Sequence, residues 1–458
     1  MLDPVTDQYP RAMISIVNKP LIAYQLEYLQ NYGVEDIMIT VERKYVSRIE
    51  KYLKQFYMSK LQNANVELVV FQEEETSINV ISHLSKRIYS NTDAQQRDFI
   101  IMESNTLLDI PLDELIKTHT LASSSITALV KEFDMNKGGK GPKVTEVDGS
   151  DIYGLSSYDD EQYRTGADSS YQFNRIVLKM DKYDAQPPRK VNLKSSFMKN
   201  FQQMEIRTDL NDCGLYVLTH SLFRLIAHML SKKVYAWSDI SDMLPYFARN
   251  QFKQNLQKMM DEAMGSRKRR RDLDKDMKSK IELLMNPDLE MKKKDQIKIM
   301  AHIDPHTSGH TYMRLKNIKF YKNANLEGQL MPIKYAHMPQ LANKYKVFQP
   351  TENNIPDVLS LPNAQIGQIK MSNIAVLGGD LSTINIGENT SIQKSVIGRN
   401  VEIGTKTKIS NSIILGNCKI GNDCIIQNSL ILNKCTIADK SKISEKEIAH
   451  GSDYPQLE

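Results

Sequence analysis

Residues 386–402 read IGENTSIQKSVIGRNVE, residues 403–419 read IGTKTKISNSIILGNCK, and residues 420–436 read IGNDCIIQNSLILNKCT. Each block opens with Ile-Gly, and isoleucine recurs at every seventeenth position in three columns with internal spacings of 6, 5 and 6. The columns are Ile386, Ile403, Ile420 and Ile437; Ile392, Ile409, Ile426 and Ile443; and Ile397, Ile414, Ile431 and Ile448. A fixed period of this kind predicts a solenoid of stacked coils.

The physical form of the repeat follows from the three columns. Three short strands per coil give a triangular cross-section with one isoleucine per side pointing inward, and coils stack about 4.8 Å apart. β-branched isoleucine suits such packed, pleated positions. The alternative is a β-sandwich, which would show alternating polarity and turns of variable length instead of a constant 17-residue register. The sequence therefore predicts a parallel β-helix from about residue 369 to residue 448.

Smaller features repeat with the same period. Gly387, Gly404 and Gly421 follow the first column, where we expect positive φ, which is cheap for glycine. Ser395, Ser412 and Ser429 form another column. Upstream, Ile369 continues the first column, but Ala375 and Asp380 stand in the other two, so the first coil is expected to be irregular.

The four cysteines allow two interpretations. Cys418 and Cys435 share a column and should be neighbours on adjacent coils, which makes a disulfide conceivable. Free thiols in a reducing compartment are the favoured interpretation. Cys213 and Cys424 complete the set, and no CxxC pair indicates a zinc site.

Composition limits the class of protein. A chain of 458 residues with 41% apolar and 25% charged residues is expected to form two or three globular domains. A net charge of +5 does not by itself indicate nucleic-acid binding. We see no apolar stretch long enough to span a membrane, and MLDPVTDQYPR lacks the pattern of a signal peptide. We therefore expect an intracellular protein.

The N-terminal part alternates helical and strand patterns. Residues 21–29 and 78–88 have the apolar periodicity of helices. Short apolar runs at residues 37–41, 66–71, 99–102 and 126–130 are typical of buried strands. Alternation of this kind predicts an α/β domain with a largely parallel sheet.

Three segments near the start carry a family resemblance. LDPVT at residues 2–6, YPRAM at 9–13 and NKPLI at 18–22 resemble the opening of sugar-nucleotide pyrophosphorylases. That resemblance implies a nucleotidyltransferase-like, Rossmann-like domain. Those enzymes commonly carry a C-terminal left-handed β-helix of hexapeptide repeats, so the resemblance also implies a left-handed coil here.

The same resemblance implies where the catalytic parts should stand, and this chain departs from them. The family's first strand and glycine-rich phosphate loop do not precede these segments. Arg11 replaces the family's lysine, Asn105 its metal-binding aspartate, and Thr76-Ser77 its base-contacting Gly-Thr pair. Phosphoryl transfer depends on charge neutralisation by metal and cations. We therefore expect these four to be vestigial nucleotide-binding positions, with no catalytic residue, bound metal or cofactor.

A closer resemblance covers nearly the whole chain, with gaps at about 134–200 and 255–300. SDMLPYFARNQF at residues 241–252, Ile206-Arg207 followed by Leu215-Tyr216, and the repeat at 395–420 are similar to the gamma and epsilon subunits of eukaryotic translation initiation factor 2B. The epsilon subunit continues into a helical exchange domain, whereas ten residues follow Ile448 here, so gamma is the better match.

The resemblance to that family implies a function and partners. It implies a non-catalytic subunit of the guanine-nucleotide exchange complex that acts on translation initiation factor 2. The chain would pair with the epsilon subunit and join alpha, beta and delta subunits in a decamer in the cytosol. We expect neither a membrane nor nucleic acid as a direct partner.

The predicted organisation has four parts. Residues 1–255 form a degenerate nucleotidyltransferase-like domain with an insert at about 134–200. Residues 256–300 form a charged insert, residues 301–350 the end of the first domain with a connecting helix, and residues 360–450 the left-handed β-helix.

Two enzyme classes remain as alternatives. The first is a sugar-1-phosphate nucleotidyltransferase of the GDP-mannose pyrophosphorylase type. The second is a hexapeptide acyltransferase, which would need a histidine beside the coils; none occurs between Leu341 and Ala449.

Three other motifs point to simpler interpretations. GGKGPK at residues 138–143 lacks the spacing of a phosphate loop, and the basic run RKRRR at 267–271 is followed by alternating aspartates. His302, His306 and His310 recur every fourth residue, but Pro305 and Gly309 argue against a metal-binding helix.

Overall fold

A computed structural model places the chain in two compact units. The β-helix unit comprises Met1–Leu29, Ser104–Leu107 and Met313–Glu458, and the sheet unit comprises Gln30–Glu103 and Leu108–Tyr312. The units are not contiguous segments, and the predicted domain boundaries stay a prediction. The structure describes residues 2, 4–6, 9–57, 65–71, 81, 84, 85, 88, 97–133, 151–158, 173–180, 203–232, 242–251, 253–263, 297–326, 346–348, 358–360, 364–366, 370–377 and 384–454.

The described α-helices are, in chain order, α1 (Leu21–Asn31), α2 (Val46–Tyr52), α3 (Leu112–Leu121), α4 (His220–Ser231), α5 (Met243–Asn250), α6 (Gln254–Ala263) and α7 (Ile318–Leu326). The described strands before the coils are β1 (Ser15–Ile16), β2 (Lys19–Pro20), β3 (Asp36–Glu42), β4 (Asn65–Phe71), β5 (Phe99–Met102), β6 (Thr106–Leu108), β7 (Ile126–Glu132), β8 (Asp151–Tyr158), β9 (Phe173–Met180), β10 (Glu205–Leu218), β11 (Ile299–Asp304) and β12 (Tyr312–Arg314).

The C-terminal strands are β13 (Lys346–Phe348), β14 (Val358–Ser360), β15 (Ala364–Ile366), β16 (Lys370–Leu377), β17 (Ile384–Ile386), β18 (Ser391–Ile397), β19 (Val401–Ile403), β20 (Lys408–Ser410), β21 (Ile413–Ile414), β22 (Lys419–Ile420), β23 (Ile425–Gln427), β24 (Leu430–Ile431), β25 (Thr436–Ile437), β26 (Lys442–Ser444), β27 (Glu447–Ile448) and β28 (Asp453–Tyr454).

The predicted N-terminal elements are confirmed in type and place. α1, β3, β4, β5 and β7 cover the predicted helix at 21–29 and the four predicted strands. Of the predicted helix at 78–88, the described residues 81, 84, 85 and 88 are helical. The alternation of 3.6-residue and two-residue periodicity therefore identified the α/β class correctly.

The sheet unit carries a six-stranded mixed sheet in the order β5-β10-β7-β11-β9-β8. The prediction of a largely parallel sheet is wrong for it: β7 and β11 pair in parallel, whereas β10 runs antiparallel to β5, β7 and β8. The reason is the 14-residue β10, which returns between β5 and β7 and spans three neighbours by means of a register shift between Asp212 and Tyr216. The apolar periodicity of a segment shows that it is a strand, but it does not show whether the strand runs parallel or antiparallel to its neighbours.

One apolar cluster forms the core of the sheet unit. It joins inward residues of β7, β9, β10 and β11 to the apolar faces of α4, α5 and α6. Phe247, Tyr216 and Tyr153 are among its largest fully buried side chains. Burial of this apolar surface is the main stabilising contribution to the unit.

The 17-residue columns of the β-helix are confirmed residue by residue. Ile386 pairs with Ile403, Ile392 with Ile409, and Ile397 with Ile414, and each ladder continues in the same register to the last coil. All strand pairs in this stretch are parallel, and the twelve isoleucines are at most 7% exposed. Three ladders around one apolar interior make a parallel β-helix; its handedness stays a prediction.

The first coil is irregular, as predicted, and it is longer than the others. Ile366 pairs with Ile386 and Leu377 with Ile397, so paired positions lie further apart in the sequence than they do in the later coils. Ile369, predicted to continue the first column, lies outside the described residues, and the partner of Ile386 is Ile366. A register shift between Ser372 and Ala375 accompanies the longer coil.

The glycines of the repeat have a different role from the predicted one. Positive φ falls on three other columns of residues, for example Asn389, Lys406, Asp423 and Lys440, and does not occur at Gly387, Gly404 or Gly421. A Cβ atom at Gly404 would stand 2.6 Å from the carbonyl carbon of Gly421. Glycine is therefore required there by the close approach of the next coil.

Serine forms a second, polar ladder inside the coils. Ser412 donates its backbone N–H to the hydroxyl of Ser395 at 3.1 Å, and its own hydroxyl accepts the N–H of Ser429 at 3.2 Å. Each hydroxyl also donates to a carbonyl two residues earlier, as Ser412 does to Ser410 at 2.7 Å.

The four cysteines are buried free thiols, in agreement with the favoured prediction.

The side of the β-helix that carries the third isoleucine column is here called the third face. Its outer surface is apolar, and other residues of the same unit cover it. Val396, Ile413 and Leu430 point outward between the columns yet are buried. They belong to one cluster with side chains of the N-terminal segment and of α7, including Leu2, Val5, Ile14, Ile16, Leu21 and Tyr321. The opening residues of the chain are therefore part of the β-helix unit.

Candidate functional site

The NKP motif of the opening segment lies in a tight turn on the β-helix. Val17 and Asn18 have φ values of 48° and 64°, and Asn18 donates its Nδ2 to the carbonyl of Ile397 at 2.7 Å. Val17 donates its N–H to Asn325 Oδ1 at 2.9 Å. The side chain of Lys19 pairs with Glu27, so the motif's polar groups bind within the unit.

The structure places two of the four predicted site residues. Arg11 is exposed in a short 3-10 helix, Arg11–Met13. Asn105 lies in the turn that follows β5, where its carbonyl accepts the N–H of Leu315 at 2.9 Å. Both belong to the β-helix unit, although they lie far apart in the sequence. Thr76 and Ser77 lie outside the described residues, as do the GGKGPK and RKRRR motifs.

The divalent cation implied by the pyrophosphorylase resemblance does not fit the residues present at Asn105. Its side chain is a neutral amide, and Oδ1 is buried with no hydrogen-bond partner among the described residues. Within the described ranges no group of three or more His, Cys, Asp or Glu side chains could hold a metal. A hard cation prefers several carboxylate oxygens, and this donor set does not supply them.

The three histidines at 302, 306 and 310 do not converge on one point. The Nδ1 atom of His302 lies 2.9 Å from the Thr118 hydroxyl, that of His306 3.1 Å from Glu132, and that of His310 2.8 Å from Asp304. His302 lies in a strand, His306 in a short 3-10 turn and His310 in a loop. Their four-residue spacing therefore does not place them on one face of a helix.

A buried charge cluster occupies the middle of the sheet unit, and sequence reasoning missed it. Its members are Lys179, Asp151, Asp212, Tyr153 and Tyr216. Lys179 donates to Asp212, its Nζ lies 3.7 Å from Asp151, and the Tyr216 hydroxyl donates to Asp212 at 2.6 Å. The Asp212 side chain is 0% exposed and that of Lys179 2%.

Two effects raise the pKa of Tyr153 in this cluster well above its usual value: burial first, then the negative charges of Asp212 and Asp151. The sequence contained one signal for this cluster, the Asp-Cys-Gly of residues 212–214, which is typical of a local kink in a strand. There Gly214 has φ of 68° and donates its N–H to Asp212.

A second ionic group, the strand-end cluster, lies at the carboxyl ends of the parallel pair β7 and β11. Lys131 donates to Asp304 and, at 2.9 Å, to the Ser308 hydroxyl; His310 completes the group. Burial alone would raise the pKa of Asp304, but hydrogen bonds from Lys131, His310 and Ser308 outweigh it and lower that pKa.

In both clusters the charged side chains form ion pairs with one another. Asp212 and Asp304 each accept from a lysine and a hydroxyl of their own cluster, and Asp151 lies at ion-pair distance from Lys179. Burying charges in this way is tolerated only when they are paired. Such an arrangement stabilises a particular packing of the sheet.

Comparison with known proteins finds one family for the start of the chain and another for its C-terminal coils. Residues 1–138 match the family described as nucleotidyl transferase, and residues 373–453 match the GMPPB C-terminal domain. The chain thus combines a nucleotidyltransferase domain with a C-terminal β-helix, as the α/β fold and the coils indicate.

The chain is similar in particular to translation initiation factor eIF2B subunit gamma of Dictyostelium discoideum. The two are 24% identical over 258 residues, which is 54% of this chain and 53% of that protein. The chain therefore spans about half the length of this curated relative.

Two shorter similarities involve enzymes. A bifunctional sugar-1-phosphate nucleotidylyltransferase/acetyltransferase of Sulfurisphaera tokodaii is 46% identical over 43 residues, 9% of this chain and 11% of that protein. A choline-phosphate cytidylyltransferase of Streptococcus pneumoniae is 45% identical over 40 residues, 9% of this chain and 18% of that protein.

No helix in the described part of the chain is both long and apolar enough to cross a lipid bilayer.

Proposed function

We propose that this chain is a non-catalytic subunit of the guanine-nucleotide exchange complex, initiation factor 2B, that acts on translation initiation factor 2. The observation that carries the proposal is the similarity to the gamma subunit over 258 residues. The chain pairs with the epsilon subunit, joins alpha, beta and delta subunits in a decamer, and works in the cytosol. Its own role is to bind and position the substrate factor.

The site geometry supports the absence of catalysis. A neutral amide stands at Asn105, where the family's metal-binding aspartate is expected, and its Oδ1 is buried without a described partner. Charge neutralisation by a metal is central to phosphoryl transfer. Arg11, Thr76, Ser77 and Asn105 are therefore vestigial positions under this proposal.

Purification of a tagged copy from its own cells tests the proposal. Native mass spectrometry should find a longer paralogue with a C-terminal helical domain, together with three further subunits, in a complex that contains two copies of each. A chain that purifies without these partners contradicts the proposal.

The alternative is a sugar-1-phosphate nucleotidyltransferase of the GDP-mannose pyrophosphorylase type, which the family match over residues 1–138 favours. A pyrophosphate-release assay on the purified chain, with Mg²⁺ and nucleoside triphosphate plus sugar 1-phosphate, separates the two. Turnover that Asn105→Ala abolishes would establish the enzyme. No turnover above a chain-free blank is the result that we expect.

A further inference from the structure

Two of the buried thiols lie side by side on neighbouring coils of the β-helix. Cys418 and Cys435 stand just before β22 and β25, which pair in parallel with Lys419 opposite Thr436. The Lys419 N–H donates to the carbonyl of Cys435 at 2.9 Å, so the register includes the two cysteines. Their exposed fractions are 0% and 1%. The two residues are therefore direct neighbours within one column of the coils.

This placement meets the geometric requirements of a disulfide bond. Stacked coils lie about 4.8 Å apart, and the Cα atoms of a disulfide are usually about 4.4–6.8 Å apart. The thiols of Cys418 and Cys435 also hydrogen-bond to each other. An S–S bond between them therefore needs a rotation of the side chains and no change in the register of the coils.

The contact between the two thiols makes one of them the more reactive. A hydrogen bond with the Cys418 thiol lowers the pKa of Cys435 to about 7, although burial acts in the opposite direction. The same contact, followed by burial, raises the pKa of Cys418. Because the thiolate is the form of cysteine that attacks an oxidant, Cys435 is the nucleophile of the pair and Cys418 its resolving thiol.

The third cysteine of the coils, Cys424, has hydroxyl residues as its column neighbours. Thr407 stands seventeen residues before it and Ser441 seventeen residues after it. Burial raises the pKa of Cys424 above its usual value. Cys424 is therefore a matched control: a buried thiol of the same coils that stacks on no other thiol.

We propose that Cys418 and Cys435 form a peroxide-oxidisable pair whose disulfide bond links two adjacent coils of the β-helix, residues 403–419 and 420–436. A small oxidant such as hydrogen peroxide reaches the pair through local opening of the coils. The inference is independent of the proposed function, since it concerns the coils alone.

The reaction has two steps. The Cys435 thiolate attacks one oxygen of hydrogen peroxide; the O–O bond breaks, hydroxide leaves, and Cys435 becomes a sulfenic acid. The Cys418 sulfur then attacks the Cys435 sulfur, so that the S–S bond forms, the S–O bond breaks, and the oxygen leaves as water with the Cys418 proton. The two thiols together supply the two electrons that reduce the peroxide. A dithiol such as dithiothreitol reverses the bond by thiol–disulfide exchange.

Peptide mapping of the full chain tests the proposal. Trypsin cleaves after lysine and arginine, so the three cysteines of the coils fall on three separate peptides, residues 409–419, 420–434 and 435–440. The reduced chain is treated with hydrogen peroxide, its remaining thiols are alkylated under denaturing conditions, and the digest is analysed by mass spectrometry. Peptide 409–419 should be linked to peptide 435–440, and the link should form about tenfold or more faster than Cys424 is oxidised. Dithiothreitol should release both peptides.

Serine variants separate the pair from its surroundings. Ser452 occupies the same column one coil after Cys435, so serine suits this position. Cys418→Ser and Cys435→Ser should each abolish the linked peptide, whereas Cys424→Ser should form it like the wild type. Because the bond closes a loop across one coil, peroxide should raise the melting temperature of the wild type and of Cys424→Ser by about 3–6 °C, and should not raise that of Cys435→Ser.

Three outcomes would overturn the inference. The first is a main linked product that contains another cysteine in place of Cys418 or Cys435. The second is a link between 409–419 and 435–440 that occurs only in covalent dimers on a non-reducing gel. The third is a peroxide-treated chain in which Cys435 stays alkylatable, or becomes a sulfinic acid, without any linked peptide.

Discussion

The side-chain amide of Asn18 donates to the carbonyl oxygen of Ile397 at 2.7 Å, although the two residues lie near opposite ends of the sequence. Ile397 is the first residue of the third isoleucine column, and Asn18 belongs to the NKP turn. This bond therefore ties the opening segment to the backbone of a β-helix coil. It adds to the apolar packing that joins the segment Met1–Leu29 to the coils in one compact unit.

Removing that bond should loosen the opening segment. We expect Asn18→Ala to lower the free energy of unfolding by about 1–3 kcal/mol, because the Ile397 carbonyl loses a donor and alanine is less tolerant of φ near 64°. Chemical denaturation followed by far-UV circular dichroism measures the change. The matched control is Asn389→Ala, at an exposed corner with φ of 59°. Equal losses in the two variants would contradict the role of the bond.

The close approach of adjacent coils should make Gly404 intolerant of any side chain. Gly404→Ala places a Cβ 2.6 Å from backbone atoms of Gly421, so we expect a loss of about 3 kcal/mol or misfolding of the coils. At Gly416 the nearest atom is a flexible side-chain carbon of Arg399 at 3.0 Å, so Gly416→Ala should cost less. Thermal melts of the two variants rank them, and the reverse order would refute the packing argument.

Removing one charge of the buried Lys179–Asp212 pair should lower the free energy of unfolding more than removing both charges. Lys179→Met leaves Asp212 charged and buried, and we expect a loss of about 3–5 kcal/mol. Lys179→Met combined with Asp212→Asn removes both charges and should recover a large part of that loss. A double-mutant cycle by urea denaturation measures the coupling. Strictly additive losses would show that the two side chains do not stabilise each other.

Acid stability should depend on Glu132. Burial tends to raise its pKa, but hydrogen bonds from His306 and Arg207 lower it to about 2 from a usual value of 4.5. Because the folded-state pKa is lower, the stabilisation is complete above about pH 4.5 and is lost as the pH falls towards 2. Glu132→Gln should therefore flatten the stability curve over that window. An unchanged slope between wild type and variant would contradict the assignment.

The repeat shows what sequence periodicity predicts well. Each isoleucine column was visible as a 17-residue spacing, and each became a parallel ladder because stacking identical coils aligns equivalent residues. The alternating helices and strands between α1 and β7 were likewise predictable from local periodicity. The candidate positions Arg11 and Asn105 came from the resemblance alone, and their vestigial character is a prediction for the nucleotidyltransferase assay.

Other features depended on contacts between distant residues. The register of the first coil, the direction of β10, and the pairing of Lys179 with Asp212 join positions whose spacing follows no period. The role of the repeat glycines is of the same kind: the sequence showed the period, but the clash with the next coil is visible only after stacking.

The β-helix and the α/β class follow from the amino-acid sequence alone, because both rest on periodic burial that short segments carry in their own residues. The folded chain was needed to show that the opening segment covers the third face of the coils and that charged groups pair inside the sheet unit. These two features differ from the periodic ones because apolar cover and charge pairing join segments that are far apart in the sequence. Their partners are known only once the backbone is placed.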